Sequence, residues 1–62
     1  MNKPVAKFSG QDGNVFGLIA IASRALKNSG QGDGAKEMTD RVFASASYAE
    51  ALSIMSEYVT IR

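Results

Sequence analysis

The chain has no cysteine, no histidine and no tryptophan, and a single proline. Without cysteine there is no disulfide, and without cysteine or histidine the usual structural zinc site is excluded as well. The same two absences remove the commonest general base and the most reactive thiol nucleophile. Carboxylates remain at Asp12, Asp33, Glu37, Asp40, Glu50 and Glu57, but a chain of 62 residues has little room for a water-excluding pocket of ~300 Å³ or more. The expectation is therefore a protein that is not an enzyme and uses no cofactor and no metal.

One-sided charge is missing too. Seven Lys or Arg against six Asp or Glu leave a net charge of +1, too little for the electrostatic footprint of a dedicated nucleic-acid binder. The cations are scattered, at Lys3, Lys7, Arg24, Lys27, Lys36, Arg41 and Arg62. Long apolar runs are also absent: the longest, Val15 to Ala22, is interrupted by Gly17 and falls far short of the ~20 residues a membrane span needs. No signal peptide is evident at the polar start Met1-Asn2-Lys3-Pro4, so a soluble cytoplasmic protein is expected.

A domain of this size buries only roughly 60% of the surface its unfolded chain exposes. With disulfides and zinc excluded, regular helix packing or self-association must reinforce it, and a homo-oligomer is expected.

What is present organises itself around Gly10-Gln11-Asp12-Gly13-Asn14-Val15-Phe16-Gly17. Asp12-Gly13 is a turn dipeptide, and Asn14 stands where a helix N-cap belongs. Before this corner, Pro4 to Ser9 alternates, with Ala6 and Phe8 on one face and Val5 and Lys7 on the other, which predicts a short strand over Val5 to Phe8. After it, Val15, Leu18, Ile19, Ala22, Ala25 and Leu26 form an apolar stripe, widened by Phe16, Ala20 and Ile21, and predict a helix from Val15 to Asn28 that is central in the fold or also forms an interface. Gly17 in that helix points to a close backbone approach. Gly30 is suited to the left-handed position that ends it.

Gly30-Gln31-Gly32-Asp33-Gly34 reads as a loop, with Asp33 capping a second helix from Gly34 to Ala44 whose inner positions are Ala35, Met38 and Val42, with Phe43 as a further candidate. Glu37 and Arg41 stand four apart in the order favourable for an ion pair. Ser47-Tyr48-Ala49-Glu50 is a capping box, opening a third helix from Tyr48 to Glu57 with a stripe of Tyr48, Ala51, Leu52, Met55 and Val59. Tyr58-Val59-Thr60-Ile61-Arg62 is β-branched or aromatic until its last residue and predicts a C-terminal strand. The fold class is α+β: a short N-terminal strand, three helices and a C-terminal strand that pairs with the first, within one chain or between two. All 62 residues form one small domain.

Several constellations invite chemistry and fail in detail. Gly30 to Lys36 opens a helix and ends in lysine, as a phosphate loop does, yet Glu37 follows the lysine and Asp33 would repel the anion, so neither the P-loop nor the Rossmann spacing is met. Asp12 and Asn14 begin like a calcium loop, but Phe16 and Ser23 occupy later ligand positions. Met38, Met55, Phe43 and Tyr48 make either an adaptable surface or, at helical spacing, part of the core.

The corner also resembles a family. Gly10, Asp12, Gly13, Asn14, Phe16 and Leu18, followed by a basic amphipathic helix and by Tyr48, Leu52, Glu57, Tyr58 and Val59, are similar to a group of small uncharacterised proteins of phages and mobile elements. What this resemblance implies is a genetic context. Joined to the exclusions above, it leads to the expectation of a non-enzymatic protein that inhibits a host factor, such as an anti-defence or anti-CRISPR protein, by occupying a surface or sequestering a small signalling molecule. Its partner-binding residues are expected at Asp12, Asn14, Phe16, Tyr48, Tyr58 and Arg62. Nucleic acid is the less favoured partner; that alternative is a small dimeric DNA-binding regulator whose paired terminal strands enter the major groove with Thr60 and Arg62 toward the bases.

Overall fold

The computed structural model describes residues 3–8 and 14–62, so the Asp12-Gly13 turn lies outside the described residues. Strand β1 is Val5–Ala6, helix α1 is Val15–Asn28, α2 is Gly32–Phe43, α3 is Tyr48–Tyr58, and strand β2 is Thr60–Ile61. The strands pair with each other inside the chain, in parallel, with Val5 opposite Thr60 and Ala6 opposite Ile61. The α+β expectation is met in its order of elements, and the open question of pairing is settled within one chain.

Helix α1 has the predicted bounds because both ends carry their own signals. Asn14 is extended, and its side chain accepts from the Phe16 amide at 2.8 Å, satisfying a donor of the first turn. At the other end Gly30 has a φ of +79°. The Gln31 amide donates to the Leu26 carbonyl at 2.8 Å and the Gly30 amide to the Lys27 carbonyl at 3.1 Å, the two bonds of a Schellman motif. This reversal leads directly into α2. The expected loop through Gly34 is therefore shorter: Gly32 and Gly34 lie inside α2, Gln31 is the N-cap position, and Asp33 sits in the first turn, where its charge suits the helix dipole instead of capping.

Helix α3 starts at its cap as expected, with the Glu50 amide donating to Ser47 Oγ at 3.1 Å. The return bond of the box is shifted by one residue: Glu50 Oε1 accepts from the Ala46 amide, not from Ser47. The carboxylate thus holds the connection from α2 as well as the helix start.

The core is wholly apolar. Among the described residues it comprises Ala6, Leu18, Ile19, Ala22, Leu26, Ala35, Met38, Val42, Ala51, Ile54, Met55 and Val59, with no buried polar side chain. Met38 and Met55 are fully buried, so both belong to the core. Ile54, absent from the predicted stripe, is buried, whereas Tyr48 is not. The backbone forms a slab of 27 × 25 × 15 Å. Within it α2 packs closely on both α1 and α3, which touch each other less. The central place expected of α1 thus belongs to α2, and the outer flank of α1 stays open: Phe16 and Ala20 are exposed instead of widening the buried stripe. Gly17 is open as well, for a Cβ there would meet nothing within 4 Å. The close approach expected at that glycine is not made among the described residues.

Candidate functional site

Three of the five aromatic side chains converge at one end of the slab. Phe16 projects from the first turn of α1, Phe43 is the last residue of α2, and Tyr48 is the first of α3. Their relative exposures are 64%, 61% and 47%. The Phe16 and Phe43 ring centroids are 5.8 Å apart, with planes tilted by 42°, in the range of a favourable aromatic pair. Behind them Val15, Ile19 and Val42 floor a cleft of about 290 Å³ that also takes in Tyr48. Among the described residues none that lines it is charged.

Local chemistry places each ring. Asn14 fixes the start of α1 and so the direction of Phe16. Phe43 follows Val42 and is out of phase with the Ala35, Met38 and Val42 stripe, which turns it outward once those three are buried. The linker is pinned by Ser45 Oγ, which donates to the Val42 carbonyl at 2.6 Å, and by the Glu50 bond to Ala46. Tyr48 is thereby held opposite the end of α2.

Tyr58 belongs to a different constellation, a ladder of polar groups between α2 and α3. Its hydroxyl donates to Glu37 Oε1 at 2.5 Å and accepts from Arg41 Nη1 at 3.0 Å. Arg41 also grips Glu57 with both terminal nitrogens, at 2.8 and 3.1 Å, and its guanidinium carbon lies 5.7 Å from the Tyr58 ring centroid. The expected Glu37–Arg41 pair on one helix is thus replaced by bonds that cross to α3, because these carry the added hydrogen bond of Tyr58 and tie two helices instead of one. The bond from Arg41 holds the Glu57 carboxyl below the ordinary range. The bond to Glu37 raises the Tyr58 phenol, since it favours the protonated donor, with Arg41 opposing. The Arg41 guanidinium is shifted further up by Glu57 and Tyr58.

Of the expected binding residues, the structure brings Asn14, Phe16 and Tyr48 to the aromatic end, puts Tyr58 in the α2–α3 ladder and leaves Asp12 outside the described residues. Arg62 serves the strand pair through its backbone, its amide donating to Ala6 and its carbonyl accepting from Phe8. Phe43, which sequence reasoning entertained as core, is the ring that completes the cleft. Its phase relative to Met38 and Val42 was the signal. The terminal strands that the DNA-binding alternative would use are each two residues long and pair with each other within the chain.

Among the described residues, no helix is long and apolar enough to cross a membrane. Comparison with known proteins finds no matching family model, no matching curated protein and no matching solved structure.

Proposed function

We propose that this chain is a non-enzymatic binding protein that inhibits a host factor by covering part of its surface, and that Phe16, Phe43 and Tyr48 are its anchors. One observation carries the reading: large aromatic side chains, which normally supply burial, are exposed together around a cleft that is uncharged among the described residues. Clustered exposed apolar surface on a small protein marks an interaction site, and aromatic residues in a pocketed patch are typical energetic anchors. An uncharged lining fits an apolar segment of a partner protein. The rings that border the cleft are exposed to solvent, whereas a small-molecule site buries most of its ligand, so surface occupation is favoured over sequestration of a signalling molecule.

The phage or mobile-element setting, and with it action in the host cytoplasm against a defence system, rests on the resemblance of the Gly10 to Leu18 corner and the Tyr48 to Val59 segment. The test is affinity capture from host lysate with the native chain and with a Phe16→Ala, Phe43→Ala double variant, followed by native mass spectrometry. A host protein retained by the native chain and lost by the folded variant supports the reading. Equal retention by both sinks the cleft. The same spectrum weighs the free protein and so reads out the expected self-association.

A further inference from the structure

A second surface lies along the outer edge of β1. The ladder to β2 uses the carbonyls of Pro4 and Ala6 and the amide of Phe8, which accept from Thr60 and Arg62 and donate to Arg62 respectively. Main-chain groups alternate in direction along a strand. Those of Val5 and Lys7 therefore point away from β2, and among the described residues nothing bonds to them. Alongside this edge runs a groove of about 340 Å³ between β1 and the open flank of α1. Its lining is apolar at Ala20, Ile21 and Ala25, while Lys7 beside β1 and Arg24 on α1 supply positive charge. Among the described residues no carboxylate lines it.

We propose that this groove binds an extended acidic peptide segment of a partner protein as a third strand. A free strand edge offers main-chain hydrogen bonds to any extended chain, and the pockets beside it select alternate side chains. Here the selection is for small apolar residues turned toward Ala20 and Ala25, alternating with carboxylates that meet Lys7 and Arg24. The charge also decides against a second copy of this chain. Pairing β1 with β1 of another protomer would bring the Lys7 and Arg24 cations of both to one seam, and an edge lysine is a common guard against such pairing. A two-stranded sheet is marginal alone, so a third strand also stabilises the fold that receives it.

The probe is a short synthetic peptide alternating valine with glutamate, titrated into the isotope-labelled chain and followed by amide shifts and hydrogen exchange. The expected result is slowed exchange at the Val5 and Lys7 amides with shifts at Arg24 and Ala25. Charge reversal by Arg24→Glu, on an exposed helix flank, is expected to weaken binding about tenfold or more, and Lys7→Glu to do the same, with the remaining spectrum unchanged. A valine–lysine peptide is expected not to bind. Shifts confined to Phe16 and Phe43, no shift with any alternating acidic sequence at millimolar concentration, or protection of Val5 and Lys7 that depends on protein concentration without peptide would each overturn the proposal; the last would make the occupant a second copy. Failure here leaves the aromatic cleft standing, because Phe16, Phe43 and Tyr48 lie outside the groove.

Discussion

Phe16 and Phe43 are brought from the start of α1 and the end of α2 to a centroid distance of 5.8 Å, yet both rings remain more than half exposed. They contribute little to the core, and their removal separates binding from folding. A double-mutant cycle to alanine is expected to show a coupling of about 0.5–1.5 kcal/mol in stability. Helical circular dichroism is expected to stay unchanged while partner capture is lost. Collapse of the dichroism signal would mark the rings as structural.

Leu26 tests the opposite role. It is fully buried at the foot of α1, and its carbonyl receives the Gln31 amide. Truncation by Leu26→Ala is expected to cost about 2–5 kcal/mol, which is comparable to the ~3–5 kcal/mol a single small core supplies. The variant should be largely unfolded at ambient temperature by denaturant titration. A cooperative transition near that of the native chain would show that the core relies on other contacts.

Two glycines in and after α1 are expected to respond with opposite sign. At Gly30, with φ of +79°, a Cβ is strained, and Gly30→Ala is expected to destabilise by about 1–2 kcal/mol. At Gly17 a Cβ meets nothing within 4 Å, and Gly17→Ala is expected to stabilise by about 0.5–1 kcal/mol through the unfolded chain and helix propensity. Thermal melts decide both. A lowered melting temperature for Gly17→Ala would reveal a close approach at this helix that the described residues do not make.

The α2–α3 ladder sets the acid response. Because Arg41 depresses the Glu57 carboxyl in the folded state, the unfolded chain takes up the proton first as pH falls. The contribution of Glu57 is therefore complete above the ordinary glutamate value of about 4.3 and is lost on acidification through the lower folded value. Melting temperatures from neutral to acid pH should fall more for the native chain than for Glu57→Gln. Parallel curves would show that the pair adds nothing.

Tyr58 governs the alkaline side. Its phenol is raised by donating to Glu37, so its contribution is complete below about pH 10 and is lost as pH rises through the folded value. In a Tyr48→Phe background, tyrosinate absorbance should report Tyr58 alone, titrating above the ordinary value. Adding Glu37→Gln should bring it down. An unmoved titration would remove Glu37 as the cause.

How much of this was legible in the sequence follows from how local each signal is. Asn14, Ser47 and the Leu18, Ile19, Ala22 and Leu26 stripe act within one or two helical turns, and they defined α1 and the start of α3. The alternation of Ala6 and Phe8 against Val5 and Lys7 likewise set the buried face of β1. Tertiary structure decided what depends on neighbours distant in the chain. Arg41 turned from Glu37 to Glu57 because α3 packs beside α2 and offers both a carboxylate and the Tyr58 hydroxyl. Phe16, Phe43 and Tyr48 became a surface instead of a core because the three helices bury the stripes of Leu18, Met38 and Met55 against one another and leave these rings outside. Hydrophobicity alone does not say which apolar residues lie in those stripes; the packing of the three helices does.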